Sequence, residues 1–210
     1  METKKDKLRE KINEFILNNN NSHLTEEILC KKFKVSRTPV REVLKYLEQD
    51  GFIQTQRKKG ITFKHFTVKE IKDIYQVRLA LEELAVEKAV KNINDGAIKK
   101  LKKYAKMYRQ AREKEDEILW EKADKLFHET IIELSGNWYL LFLIKKIRMF
   151  DTVFRLGIKG NGRYITKTDL NPNTHYKIIK ALATRDTEKA KEILRNHILW
   201  GIERLLKRHK

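Results

Sequence analysis

The sequence predicts a mainly α-helical protein in two parts, because its hydrophobic pattern changes character once along the chain. In the first part, apolar residues at helical spacing are followed by two short alternating segments around a basic turn that ends in Gly60. From about residue 66 onward, only helical periodicity remains. We therefore divide the 210 residues into a small domain at 1–66 and a larger domain, an all-α helical bundle, at 67–210.

The first part contains three predicted helices and a hairpin. Apolar spacing predicts a helix over about 5–18, and Thr25 is a typical N-cap for a second, short helix. A third helix is expected over about 36–50, followed by strands at 52–56 and 61–65. This order is typical of a winged helix-turn-helix, in which the second helix of the pair presents its N-terminal end to the DNA major groove.

The second part contains six predicted helices. Their expected bounds are 68–92, 95–115, 117–135, 138–157, 172–185 and 187–207. Pro172 follows Asn171 as a proline in a first helical turn follows its cap. The fourth helix is apolar nearly all round, so we expect it to be central in the bundle.

Composition restricts the classes of protein that the chain can belong to. Its net charge is +18, from 47 Lys and Arg against 29 Asp and Glu, and both parts are basic. This favours a polyanionic partner, although charge alone does not separate nucleic acid from an anionic membrane. The only cysteine, Cys30, cannot form an intrachain disulfide, which favours a reducing compartment.

Membrane insertion is not expected. The charged N-terminal segment METKKDKLRE lacks the apolar core of a signal peptide. The most apolar stretch, at 138–144, is too short to span a bilayer. We expect a cytoplasmic protein with no membrane partner.

The predicted helix after residue 36 carries a basic face. Arg37, Arg41 and Lys45 recur every four residues, opposite the apolar face. The planar guanidinium matches the O6 and N7 acceptors of guanine, so the two arginines are the base-reading candidates. Ser36 and Thr38 can donate hydrogen bonds to phosphate at the helix start. The alternative is an ordinary solvated helix face.

The predicted hairpin turn is also basic. It carries Arg57, Lys58 and Lys59, and Gly60 would allow close approach to the DNA backbone or minor groove. These four residues complete the expected DNA-binding set.

The segment VSRTPVREVLKYLEQDGFI, at 35–53, resembles the recognition-helix signature of the GntR family of bacterial transcriptional regulators. The preceding LTEEILCKKFK and the wing glycine match as well. Glu27 stands where many members carry a phosphate-binding arginine, and Lys34 stands where a turn glycine is usual. The resemblance implies DNA contacts by Ser36, Arg37, Thr38, Arg41 and Gly60.

Four residues of the second part form a candidate metal-binding set. Asp124 and His128 are four residues apart and share one helix face, while His175 and His197 lie in two later helices. One carboxylate and three imidazoles suit a divalent transition metal such as zinc, nickel or manganese. The alternative is that the histidines are ordinary packed residues with hydrogen-bonded rings.

Three further segments resemble the FCD domain, the C-terminal domain of FadR-type regulators. They are RLALEELAVEKAV, DKLFHETIIELSGN and THYKIIKALATRDTEKAKEILRNHI. The helix count is similar to that of the six-helix VanR-type subgroup. The resemblance implies a metal held by Asp124, His128, His175 and His197, and a small organic-acid effector whose carboxylate often coordinates it.

The residues that would bind the end of the acid away from the metal are less well defined. Arg78 lies on the first helix of the bundle with Tyr75 nearby, and Arg148 and Arg155 belong to a polar stripe of the fourth helix. Each could pair with a carboxylate. The alternatives are an intrahelical pair of Arg78 with Glu82, and a solvated stripe.

These patterns favour a sequence-specific transcriptional regulator, expected to be a repressor that binds a palindromic operator as a homodimer. A nucleoid-type DNA binder with a structural metal is the main alternative, and lacks the roughly thousandfold preference for one operator over random DNA. A metal-dependent hydrolase is a further alternative, but Ile132 stands where the zinc-protease helix motif needs its second histidine. We expect no enzymatic activity.

Overall fold

The computed structural model describes residues 7–8, 11–12, 15–16, 24–56, 60–158 and 173–207, except for the side chains of Gln56 and of 155–158. The elements are α1 (Glu26–Phe33), α2 (Arg37–Gln49), β1 (Ile53–Gln56), β2 (Gly60–Phe63), α3 (Val68–Asn92), α4 (Asp95–Glu113), α5 (Glu117–Leu134), α6 (Trp138–Ile158), α7 (Thr174–Ala183) and α8 (Thr187–Lys207). The mainly α fold class is confirmed.

The chain forms two compact units. The first contains 1–67 and 149–160, and the second contains 68–148 and 161–210. The sequence division after residue 66 thus lies beside the first boundary, whereas the C-terminal part of α6 falls in the first unit. In that unit, the ring of Phe150 lies 4.5 Å from that of Phe52 and 5.7 Å from that of Phe66.

The predicted N-terminal helix falls mostly outside the described residues. The described residues of this segment, 7–8, 11–12 and 15–16, are helical. The Oγ1 atom of Thr25 caps α1 by accepting a hydrogen bond from the backbone N–H of Ile28 at 3.3 Å. At its other end Lys34 adopts a left-handed conformation with φ 53°, which is the reason a glycine is usual there. The buried side chains of α2 then close the small core.

The wing is a two-stranded antiparallel sheet in which Ile53 pairs with Phe63 and Gln56 with Gly60. Leu24 adds one bridge to Ile61, whose N–H donates to the Leu24 carbonyl at 2.7 Å. Gly60 has φ +72°, and a Cβ placed there would lie 2.4 Å from the same carbonyl oxygen. Packing within the chain is therefore enough to require this glycine.

The second unit is a helical bundle in which α3 packs against α5 and α8, α4 against α5 and α7, and α7 against α8. The large fully buried side chains of this unit include Leu101, Phe127, Ile132, Ile178 and Leu194. Helix α7 begins at Thr174, and the expected role of Pro172 lies outside the described residues.

The expectation that the fourth helix of the bundle is central was wrong. Leu140 and Ile144 of α6 pack against Ala85 and Ile132, but the opposite side of the helix start is open. Its exposed apolar side chains are Trp138 (64% exposed), Tyr139 (70%), Phe142 (44%) and Leu143 (43%). An all-round apolar helix is expected to be covered on every side, and among the described residues this helix start is covered on one side only.

The close contact at Gly60 predicts a specific loss of stability. Gly51 and Gly60 both have positive φ, but a Cβ at Gly51 would have no neighbour within 4 Å. We expect Gly51→Ala to cost about 1–2 kcal/mol from backbone conformation alone, and Gly60→Ala to cost clearly more. Urea denaturation followed by circular dichroism measures both, and equal losses would show that the Leu24 contact is unimportant.

Candidate metal centre and nucleic-acid interface

Three helices bring the four candidate metal ligands together. Asp124 and His128 lie on successive turns of α5, His175 on the first turn of α7, and His197 near the middle of α8. One ligand atom from each residue lies within 4.8 Å of all the others. The chain thus assembles at one point the set that the sequence could place only on separate helices.

The distances suit a shared cation. The Oδ1 atom of Asp124 lies 3.3 Å from Nε2 of His175, 3.4 Å from Nε2 of His197 and 3.6 Å from Nε2 of His128. Ligand atoms that each lie about 2.1 Å from one ion are separated from one another by roughly 3–4 Å. The observed separations fall in that range and are long for hydrogen bonds.

Burial strengthens this argument. His128 and His175 are buried, and the Nε2 atom of each has no hydrogen-bond partner. An unpartnered buried polar atom costs about 1–3 kcal/mol. A divalent transition metal would use these nitrogen lone pairs, so the residues fit such an ion.

A buried carboxylate holds the other side of the His128 ring. Glu82 on α3 lies with Oε2 2.5 Å from Nδ1 of His128. The Nε atom of Arg78 donates to Oε1 of Glu82 at 2.7 Å, and Nη2 of Arg148 lies 3.7 Å from the same oxygen. The contact of Glu82 with His128 joins residues 46 positions apart, so sequence spacing could not have shown it.

The electrostatics leave two imidazoles neutral and both carboxylates ionised. Burial lowers the pKa of His175 to about 3 and also lowers that of His197. At Glu82 and Asp124, burial acts to raise the pKa, but the partners together outweigh it and both pKa values lie below the ordinary range. These partners are His128 with the two arginines at Glu82, and the three histidines at Asp124. Neutral imidazole and ionised carboxylate are the forms that bind metals.

His128 behaves differently from the other two histidines. Burial acts to lower its pKa, but the nearby charges of Glu82 and Asp124 raise it above its ordinary value. The two carboxylates therefore favour the protonated form of His128. A metal bound by Nε2 would take the place of one proton.

The residues predicted to contact an effector have mixed surroundings. Tyr75 and Arg78 are buried, and the Arg78 guanidinium lies 5.4 Å from the Tyr75 ring centre as well as bonding to Glu82. The intrahelical pair weighed as an alternative is thus present. The Arg148 side chain is 11% exposed and faces Glu82, whereas the side chain of Arg155 lies outside the described residues.

A cavity of about 680 Å³ borders the candidate metal centre. Lys177 and Lys180 of α7 and Trp200 of α8 line it, with Tyr108 of α4. His197 lines the cavity as well, and its Nε2 atom faces Asp124. These lining residues were not among the predicted effector contacts, because their helical spacing resembles that of any half-exposed helix face.

The predicted DNA-reading face lies on the surface of α2. Ser36, Arg37, Thr38, Arg41 and Lys45 are exposed, while the opposite face of the helix is buried. Ser36 occupies the N-cap position without a side-chain capping bond, so helix capping does not use its hydroxyl. The basic residues of the wing tip, Arg57, Lys58 and Lys59, lie outside the described residues.

Arg41 is already engaged within the chain. Its Nε atom donates to both carboxylate oxygens of Glu26 on α1, at 2.9 and 3.2 Å. This ion pair is largely exposed, so it holds the guanidinium only weakly. A DNA contact by Arg41 would have to compete with Glu26.

Comparison with known proteins identifies the family. Residues 2–63 match the gntR family of bacterial regulatory proteins, and residues 73–199 match the FCD domain. The chain belongs to the GntR family. It is a GntR-family transcriptional regulator with an N-terminal helix-turn-helix domain and a C-terminal FCD domain.

Two curated relatives illustrate the match of this GntR regulator. It is 32% identical over 166 residues to the gluconate operon transcriptional repressor of Bacillus subtilis (strain 168), covering 78% of this chain and 68% of that protein. It is 29% identical over 186 residues to the Nta operon transcriptional regulator of Aminobacter aminovorans, covering 87% and 84%. Several GntR relatives are transcriptional repressors.

The solved structure of E. coli McbR/YncC shares the fold of this GntR regulator. The TM-score is 0.84 over the whole of both chains, at 21% sequence identity. None of the described helices combines the length and apolar character needed to cross a membrane.

The Glu26–Arg41 pair predicts the effect of one substitution on DNA binding. Glu26→Gln removes the competitor for Arg41, so operator affinity should rise by about two- to fivefold, the value of an exposed ion pair. Glu133→Gln is the control, because it removes the same charge but releases Lys100 of the helical bundle instead. Fluorescence anisotropy with operator DNA compares them, and equal affinities would show that the pair with Arg41 does not matter.

Proposed function

We propose that this GntR-family protein is a repressor whose FCD domain binds a divalent transition metal and a small organic acid. The observation that carries the proposal is the convergence of three imidazole nitrogens on one carboxylate oxygen of Asp124, at 3.3–3.6 Å. Zinc, nickel and manganese all accept such ligands, and geometry rather than residue type selects among them. The ion is proposed to be held by Asp124, His128, His175 and His197.

The effector in this proposal is a small carboxylate. A bound divalent metal would supply the positive charge that attracts the acid. His197, one of the proposed ligands, also lines a cavity that is large enough for a metabolite. Lys177 and Lys180 on the cavity wall are exposed and able to pair with an anionic or hydroxylated tail. Because Arg78 and Arg148 face Glu82, the lysines are better placed for this role.

The DNA target is proposed to be a palindrome read by α2 from two copies of the protein. Arg37 and Arg41 are the base-reading candidates, and Ser36, Thr38, Lys45 and the wing residues Arg57 to Gly60 are the candidates for backbone contacts. One recognition helix reads only a few base pairs, so twofold symmetry supplies the remaining discrimination. We infer regulation by binding, without catalysis.

The exposed apolar start of α6 supports a homodimer. Trp138 stacks on Phe142 with ring centres 5.3 Å apart, and Tyr139 and Leu143 extend the same surface. A contiguous apolar surface of this kind marks an interaction site in a soluble protein. We propose that a second copy of the chain covers it.

The dimer surface predicts a loss of cooperative DNA binding. Phe142→Glu would bury a charge in an apolar interface, so sedimentation should show monomers and the palindromic operator should be bound at least tenfold more weakly. Ile118→Glu, at an exposed apolar residue of α5, is the control and should remain dimeric. A Phe142→Glu protein that stays dimeric would place the interface elsewhere.

The metal site predicts a defined stoichiometry. Protein purified without chelator or metal-binding tag should carry about one divalent metal per chain, and His128→Ala or His197→Ala should lower this occupancy because the coordination shell becomes incomplete. Elemental analysis measures it, with the exposed His65→Ala as control. Absence of metal from the wild-type protein, with no change in melting temperature on adding zinc, nickel or manganese, would rule out the site.

The effector hypothesis predicts reciprocal coupling, for which gluconate is a reasonable first probe because a relative represses a gluconate operon. Gluconate should raise the melting temperature only when metal is bound, and should change operator affinity by the factor by which operator DNA changes gluconate affinity. Asp124→Ala should abolish both effects. Equal stabilisation of Asp124→Ala protein stripped of metal would show that the acid does not bind at the metal.

A further inference from the structure

Glu82 is a buried carboxylate surrounded by three cationic or ionisable groups. Its side chain is 3% exposed and contacts Nδ1 of His128, Nε of Arg78 and, at a longer distance, Nη2 of Arg148. A buried carboxylate is tolerated only when it is paired and hydrogen-bonded. Three such partners, from α3, α5 and α6, place Glu82 tightly beside the candidate metal centre.

The hydrogen-bonding capacity of these groups fixes the form of His128. An ionised carboxylate only accepts hydrogen bonds, so Nδ1 of His128 must carry its proton toward Glu82. In the neutral ring, the lone pair then lies on Nε2, the atom that faces Asp124 at 3.6 Å. The opposite tautomer would direct an N–H group at the metal position.

The other buried histidine is oriented by different means. The ring of His175 stacks on Phe127 with centres 4.1 Å apart and meets the edge of Tyr108 at 4.3 Å, and its Nδ1 has no hydrogen-bond partner. Packing alone therefore orients His175. The ring of His128 also stacks on that of His197, with centres 5.2 Å apart, but its Nδ1 has in addition a buried carboxylate as hydrogen-bond partner. His128 is thus the buried histidine whose tautomer depends on one removable group.

We propose that Glu82 is a positioning residue for the metal centre, presenting Nε2 of His128 to the ion, and that Arg78 and Arg148 hold Glu82 rather than the effector. This inference rests on the proposed metal site and adds to it a residue outside the four ligands. Carboxylates that orient a metal-bound histidine typically change metal affinity by about 10–100-fold when removed.

Two substitutions at Glu82 separate its charge from its hydrogen bond. Glu82→Gln keeps an acceptor oxygen and removes the charge, whereas Glu82→Met removes both. Zinc affinity, measured by competition with a chromophoric chelator, should fall in the order wild type, Gln, Met, with about a 10–100-fold loss for Met. Glu83→Gln is the matched control, since Glu83 is the next residue and bonds to Arg195 instead.

A spectroscopic readout distinguishes positioning from a purely structural role. The absorption spectrum of the cobalt-substituted protein reports coordination geometry, and it should change in both Glu82 variants and remain that of the wild type in Glu83→Gln. Arg148→Met should weaken zinc binding by a smaller factor while leaving every ligand and Glu82 in place. This variant keeps the test decisive if Glu82→Met fails to fold.

The outcomes separate this inference from the proposed function. A wild-type protein that binds neither zinc nor cobalt would overturn the metal site itself. A wild type that binds both, with Glu82→Gln and Arg148→Met retaining its affinity and cobalt spectrum, would overturn only the role of Glu82. Lower melting temperatures of the metal-free variants with unchanged zinc affinity would likewise assign Glu82 to stability alone.

Discussion

The Oδ1 atom of Asp124 faces three imidazole nitrogens, and at this point polar side chains of α5, α7 and α8 meet in the interior of the bundle. Each group is expensive to bury alone, because a carboxylate or an imidazole removed from water must find a partner. The separations of 3.3–3.6 Å bring the groups together without pairing the nitrogens in ordinary hydrogen bonds. The bundle therefore contains a polar centre for which a divalent cation is the proposed occupant.

The proposed metal site would alternate between a form with the ion and a form without it. Without metal, the carboxylates of Glu82 and Asp124 raise the pKa of His128 and so favour its protonated ring, which would balance part of their charge. With the proposed metal bound, the same ring would offer a lone pair and the ion would supply the positive charge. The cluster would thus link the three helices in both forms.

Sequence reasoning was most successful where function depends on local spacing. The exposed and buried faces of α2 follow from residues three and four apart, and the pairing of Asp124 with His128 on one face follows from the same rule. Capping by Thr25 is equally local. These features needed no knowledge of tertiary structure.

The missed features are all long-range. The contact of Glu82 with His128 joins residues 46 positions apart, on α3 and α5. The pair of Arg41 with Glu26 joins residues 15 positions apart, on α2 and α1. The expected central position of α6 was wrong, because apolar composition indicates that a helix surface is buried but does not indicate which element buries it. The requirement for Gly60 likewise comes from the Leu24 carbonyl, which lies 36 residues earlier in the chain.

The assignment of 149–160 to the first unit bears on how far this protein is modular. A fragment ending near residue 67 would lack Phe150, so the rings of Phe52 and Phe66 would lose an aromatic neighbour at 4.5 and 5.7 Å. A fragment beginning at residue 68 would carry Val153 and Phe154, buried in the intact chain, without the rest of their unit. A cut between residues 67 and 68 consequently does not give two self-contained domains. Fusing the DNA-binding domain to another sensor domain would require a substitute for the end of α6.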